Sequence, residues 1–254
     1  FTPIILLPLI LMKDKYRPKI SDLKFFVGYG LIGLMLSFTQ WAGLIFGLPI
    51  AVIVFLLYMQ PAWTLIISKI WLGEIMSTSK ILAVTIAIGG ILILVNPSNM
   101  GSTQEILPLI FPIFAGIFLS LSYVLGRIGS LKKIHPITTT FGFRTSQTAW
   151  AFSLFPIVSI FVSDPSFSTL RFNFDVQIWL YLLLFSFFIG TLTGITLYKG
   201  LETVPASVAG VILLLEPVSA TVIASILFNE AITYNILAGG SLILLANYMI
   251  IQSK

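Results

Sequence analysis

Glu216 is the residue on which chemistry would most readily turn, because it stands inside the apolar run "VILLLEPVSATVIASILFNE" at 211–230. An ionised side chain deep in a membrane span is costly, and such residues face a bundle interior or a water-filled cavity. In that setting Glu216 would bind a cationic or amine-bearing solute, or a proton; the competing reading is a structural glutamate paired with another helix. Counted from residue 204 it lies about 12 residues along, roughly 18 Å at the helical rise, near mid-membrane. Pro217 follows, removing a backbone donor and freeing a carbonyl. Arg144, in "FGFRTSQTAW", lies about seven residues into its own span. It can snorkel to the headgroups, or face a cavity and pair with Glu216 or an anionic solute. Gln147 and Trp150 follow at helical spacing and share its face. Tyr123, Gln40, Trp41, Gln60, Trp63, Tyr198 and Asn247 complete a candidate polar-aromatic lining. Each of these alone is more often packing glue or an interfacial anchor.

Composition sets the frame. Of 254 residues, 57% are hydrophobic and 9% charged, with mean hydropathy +1.05; a soluble domain carries about 25% charge. The chain reads as a polytopic all-α membrane protein. It has no cysteine, which removes thiol chemistry, disulfides and thiolate metal sites, and a single histidine, His135. No metal, cofactor or enzymatic activity is expected, since no nucleophile pairs with His135 and no Walker motif is present. "GYGLIG" at 28–33 lies within a span with no preceding strand, so it is not a nucleotide loop. The formal +5 is scattered over short loops and implies no nucleic-acid partner.

Spanning helices need about 20 mostly apolar residues. The pattern predicts complete spans at 23–42, 48–70, 80–96, 107–126, 137–162, 178–198, 204–228 and 232–250. Residues 1–12 run straight into "KDKYRPK" without the features of a signal peptide, and read as the tail of a further helix. Placing "KDKYRPK" in the cytoplasm puts Lys13, Lys15, Arg17, Lys19, Lys24, Lys69, Lys80, Arg127, Lys132, Lys133, Lys199 and Lys254 inside, and Arg171 alone outside. That twelve-to-one bias satisfies the positive-inside rule and puts the C-terminus in the cytoplasm of a multi-pass cell-membrane protein.

A shift of 156 residues superposes Pro49 on Pro205, Pro61 on Pro217 and Glu74 on Glu230. The orientations make these repeats inverted, as in secondary transporters. Mapped back by 156 residues, the span at 137–162 ends near residue 6. The expected parent is therefore a five-plus-five inverted repeat, of which this chain holds about eight complete spans and one partial span. Glu74 and Glu230 close their helices just before "IMSTSK" and "AITYN", and are expected to be structural caps or turn elements, favoured by the dipole of the helix that follows.

Two stretches, "GLPIAVIVFLLYMQPAWTLIISKIWLGE" (47–74) followed by "IGGILILV", and "TVPASVAGVILLLEPVSATVIASILFNE" (203–230) followed by "AGGSLILLANYMI", carry a resemblance. Together they resemble the drug/metabolite transporter superfamily, specifically its EamA-type domain present twice: residues 1–98, shortened at the N-terminus, and 106–251. Asn229 departs from the pattern, standing where the first repeat has Gly73. The resemblance implies ten helices, a central cavity, and export or uptake of small organic solutes by a secondary mechanism.

The expected function is alternating-access secondary transport, with export the expected direction. Expected partners are a small organic solute and the lipid bilayer; protons, a counter-substrate and a second copy of the chain in a homodimer are further candidates. A membrane scaffold or interaction protein, whose polar residues are only packing glue, is the rival reading. A channel is disfavoured because no ring of like charges or short filter loop is visible.

Overall fold

The computed structural model describes residues 1–48, 50–95, 107–161, 172–228 and 233–252. Pro49, Arg171, Asn229 and Glu230 lie outside these residues, and with them one proline and one glutamate of the repeated motif. The described residues are helical: α1 (Thr2–Met12), α2 (Leu23–Ile45), α3 (Ile50–Leu57), α4 (Gln60–Leu72), α5 (Thr78–Val95), α6 (Ile110–Leu131), α7 (Pro136–Phe161), α8 (Val176–Phe185), α9 (Thr193–Gly200), α10 (Ala206–Ile212), α11 (Leu215–Phe228) and α12 (Tyr234–Gln252). A π-helical stretch, Ser186–Leu192, joins α8 to α9.

Among the described residues, six helical segments are long and apolar enough to cross a membrane: Asp14–Ile45, Val52–Leu72, Ile110–Leu131, Val176–Gly200, Ala206–Leu227 and Tyr234–Gln252. The chain is thus an all-α, multi-pass membrane protein, and the expectation of eight complete spans is met by six on length and apolarity. The two others form helices with a physical reason for the difference. Residues 78–93 make a shorter apolar helix. Helix α7 covers 137–161 of the expected 137–162 but carries Thr138, Thr139, Thr140, Arg144, Gln147 and Thr148, which dilute its hydropathy.

Two expected spans are broken rather than continuous. Helix α3 stops at Leu57 and α4 restarts at Gln60; α10 stops at Ile212 and α11 restarts at Leu215. Each break comes just before a proline, Pro61 or Pro217. A proline lacks the N–H that would continue the ladder and its ring crowds the preceding turn. The chain turns through short bonds instead: Met59 N–H to Leu56 O at 3.4 Å, Leu214 N–H to Val211 O at 3.0 Å, and Glu216 N–H to Leu213 O at 3.0 Å.

The chain forms two compact units, each drawing on both sequence halves: Phe1–Leu34 with Gly126–Thr203, and Met35–Leu125 with Val204–Lys254. In the first, α1 and α9 pack on α7. Its interior is aromatic, with Tyr29 on α2 lying 4.3 Å from the Phe143 ring and sharing a 2.8 Å hydroxyl hydrogen bond with Tyr198. In the second, α5 and α12 form the most extensive helix pair. Ala83, Ala87, Ile91, Ile243, Ala246 and Ile250 are buried along their seam. Gly90 permits the close approach, because a Cβ there would lie 2.8 Å from Gly239 O.

Candidate functional site

In the second unit the two helix breaks are tied together by polar side chains. Gln60 opens α4 and is 1% exposed. Its Nε2 donates to Gly210 O at 2.7 Å, on the neighbouring broken element α10. Thr64, one turn on, donates to Gln60 Oε1 at 2.6 Å. Ser120 on α6 donates to Gln60 O at 2.8 Å, binding the amide's own backbone as well. The Gln60 side-chain amide and Gly210 O would otherwise be unsatisfied polar groups in an apolar medium, while Ser120 also reaches Gly116 O at 2.8 Å and Thr64 also reaches Gln60 O at 2.9 Å. Gln60, expected as a lining residue, is therefore a fully engaged strut between broken helices. Sequence reading missed Thr64 and Ser120; their signal was a hydroxyl one turn from Gln60 and another inside an apolar span.

Glu216 occupies the position that the 156-residue shift matches to Gln60, and its environment is the opposite. It sits in the first turn of α11 with an exposed side chain, while adjacent Pro217 is buried. Tyr58, in the α3–α4 break, lies within electrostatic reach of its carboxylate. A carboxylate at a helix start also has the favourable end of the α11 dipole beside it. The arrangement presents a negative group with a phenol nearby at the discontinuity of two helices, which suits recognition of an amine or cation, or protonation.

Glu74 behaves as a cap, but not on the helix that was expected. Gly73 takes a left-handed φ of 66°, and Glu74 N–H closes back on Ser68 O at 3.3 Å while Gly73 N–H bonds Lys69 O at 3.2 Å, the αL termination that glycine favours. This turn carries the Glu74 side chain away from α5 and onto the N-terminus of α10. Its carboxylate accepts from Ala206 N–H at 2.7 Å, from Ser207 N–H at 3.2 Å and from the Ser207 hydroxyl. Lys80, buried at the start of α5, donates to Ser207 Oγ at 3.3 Å. The first two orphan donors of α10 are thereby satisfied from a distant part of the sequence. The other second-unit candidates are dispersed. Tyr123, Gln40 and Trp63 are half-buried and Trp41 is exposed. Asn247 is buried, donating from Nδ2 to Ile243 O at 2.9 Å, with its Oδ1 lacking a partner.

In the first unit the structure brings together Arg144, Gln147 and Trp150 along one face of α7. Arg144 Nη1 donates to Gln147 Oε1 at 2.9 Å, Gln147 Nε2 donates to Gly33 O at 2.9 Å, and Trp150 Nε1 donates to Val27 O at 2.9 Å. Arg144 also lies over the Phe143 ring, and is thus engaged within its own unit. It borders a cavity of about 210 Å³ with Gln147, Thr148, Thr2 and Ser186. The π-helical stretch forms one wall, a local irregularity that often accompanies function and that sequence periodicity did not reveal. Tyr198 is buried against Tyr29 rather than facing a cavity.

Comparison with known proteins adds three findings. The sequence profile of the EamA-like transporter family matches residues 1–96 and 106–252. An uncharacterized transporter of Archaeoglobus fulgidus is 29% identical over 197 residues, 77% of this chain; the chain spans just under two thirds of that relative, 66% of its length. A solved crystal structure superposes with a TM-score of 0.77 at 16% identity, covering 98% of this chain and 82% of the other. At that identity the structural likeness speaks for the fold.

Proposed function

We propose, from the premise that the chain belongs to the EamA-like transporter family, that it works as a secondary transporter of small organic solutes. Transport proceeds by alternating access between two inverted five-helix repeats, 1–98 and 106–251, with export as its direction. The observation that carries this reading is the pair of helix breaks before Pro61 and Pro217, one closed by buried Gln60 and the other presenting exposed Glu216. Discontinuous helices in corresponding positions of two halves are the usual framework of a transporter binding site.

Glu216 is the proposed substrate or proton site, with Tyr58 beside it. Arg144, Gln147 and Trp150 form a second polar surface, and Tyr123, Trp41, Tyr198 and Asn247 belong to the candidate lining set with lesser claims. Gln60, with Pro49, Pro61, Pro205, Pro217, Glu74 and Glu230, belongs to the scaffold. The C-terminus and the "KDKYRPK" segment face the cytoplasm; in support, Lys15, Arg17, Lys19, Lys132 and Lys133 line a single cleft, as one membrane face would require. Protons or a counter-substrate supply the driving force, and a homodimer is compatible with the exposed apolar helix faces.

The test is transport by the full-length protein in proteoliposomes, using labelled amino acids, nucleosides and organic cations under an imposed pH gradient. Glu216→Gln keeps the volume and removes the charge. Loss of flux together with its pH dependence is expected; unchanged flux and pH dependence would remove Glu216 from the mechanism.

A further inference from the structure

A cleft opens in the first unit at the start of α7, where residues 15–22, 130–138 and Glu202 meet. Its volume is about 740 Å³, and Lys15, Lys19, Lys132 and Lys133 line it with His135. Acidic compensation is small. Of the two carboxylates on its wall, Glu202 is paired with Lys199 at 2.6 Å, leaving Asp22. Arg17 is already committed to Asp14 at 2.8 Å and to Leu11 O. Among the described residues, none of the four lysines forms an ion pair.

The backbone is arranged to aim these charges. Lys133 adopts a left-handed φ of 58°, the one positive-φ residue other than glycine among those described. Glycine or asparagine would occupy that position with less strain. The strained turn is held by Lys133 N–H to Ser130 O at 2.9 Å and Ile134 N–H to Gly129 O at 3.1 Å, with Ile134 buried beneath. It places Lys132 over the Phe25 ring at 4.9 Å. Opposite, Lys15 lies 4.8 Å from the centre of the Tyr16 ring, which itself packs on His135 at 4.6 Å. Thr138 fixes that segment by donating to Tyr16 O at 2.7 Å. Strain kept at a non-glycine residue is a common mark of a functional position.

We propose that this cleft binds a phosphate group, presented by an anionic phospholipid headgroup or by a free phosphate. Four ammonium groups around a cleft of this size match the charge and hydrogen-bond capacity of a phosphate, and basic pockets at the end of membrane helices are suited to such headgroups. Leu131 lines the cleft as an exposed apolar residue, and Ile20 and Leu23 are exposed close by in sequence. They give acyl chains somewhere to lie. His135 reports on occupancy. Its Nδ1 accepts from Ile137 N–H at 3.2 Å, which leaves Nε2 to carry the proton. Partial burial, Lys15 and Lys199 lower its pKa and Glu202 raises it. A phosphate among Lys15, Lys19, Lys132 and Lys133 would offset that repulsion; Arg17 and Asp22 also line the cleft and Tyr16 packs on the His135 ring.

His135 is the single histidine of these 254 residues, so its ring gives one assignable NMR signal from this chain. Its titration is followed in dodecylmaltoside alone, with inorganic phosphate added, and with phosphatidylglycerol or phosphatidylcholine doped into the micelle. The expected result is a saturable upward shift of the His135 midpoint with phosphatidylglycerol and none with phosphatidylcholine. A shift with inorganic phosphate as well assigns the site to free phosphates; a shift with phosphatidylglycerol alone assigns it to lipid. Lys15→Gln and Lys133→Asn should each weaken binding about fivefold. Lys133→Asn also suits the left-handed backbone at this position, so added backbone strain does not account for a loss of binding in that variant. No shift with either probe, or a shift that both variants retain at wild-type concentrations, overturns the proposal.

Discussion

At the residue scale, Gln60 and Glu216 show how one motif position serves two purposes. Both lie just before a helix-breaking proline, yet Gln60 is buried in a closed set of hydrogen bonds and Glu216 is exposed. Gln60→Leu keeps an apolar fit while stranding Gly210 O, whereas the Thr64 hydroxyl keeps the backbone carbonyl of residue 60 at 2.9 Å. The substitution is expected to cost about 1–3 kcal/mol, read as a lowered midpoint in thermal unfolding of the detergent-solubilised protein. Glu74→Ala uncovers the first N–H groups of α10 and should cost about 0.5–2 kcal/mol, with Glu74→Gln retaining part of that. The asymmetry of Gln60 and Glu216 was legible in the sequence as a difference in charge. The partners were not, since Gly210 and Ser120 are separated from Gln60 by 150 and 60 residues. His135 supplies a pH prediction. Its pKa is lowered by burial and by Lys15, so the unfolded chain takes up a proton first as pH falls. Stability associated with His135 is therefore present above an unfolded pKa of about 6.5 and declines below it. His135→Gln should remove that acid-side slope from denaturation measured between pH 7 and pH 5.

At the scale of elements, the helix pattern was legible because apolar runs of this length admit few alternatives. Two features escaped it for physical reasons. Hydropathy averages over a window, so it joined α3 to α4 and α10 to α11 across breaks that occupy only two residues each. It also counted α7 as a full span although Arg144, Gln147 and its threonines make it the most polar of the long helices. Glu74 was legible as a cap, but the residue it caps was not, because Gly73 redirects the chain after α4. The α5–α12 seam gives the sharpest test of packing. Gly90→Leu would force a side chain where Gly239 O and Ile243 N already lie 2.8 and 3.1 Å from the missing Cβ. Overpacking of this kind costs about 1–3 kcal/mol. Gly90→Leu should lower the unfolding midpoint, whereas Gly89→Leu, with nothing within 4 Å of its Cβ position, should leave it near wild type.

At the scale of the whole molecule, membership of the EamA-like transporter family and an all-α membrane fold with paired helix breaks lead to one functional account. An exposed glutamate in a membrane helix is tolerable only where water, a solute or a partner reaches it. The account requires that position 216 faces an aqueous path, and the scaffold alternative requires that it does not. The chain contains no cysteine, so an introduced thiol is read against no background from these residues. The most direct measurement is therefore labelling of Glu216→Cys, in the full-length protein in native membranes, by a charged, membrane-impermeant methanethiosulfonate. Ile223→Cys on the exposed apolar face of α11 serves as the lipid-facing control. The account predicts rapid modification of Glu216→Cys and none of Ile223→Cys, with protection of the former by a transported solute. Equal resistance of both variants to the reagent would contradict it.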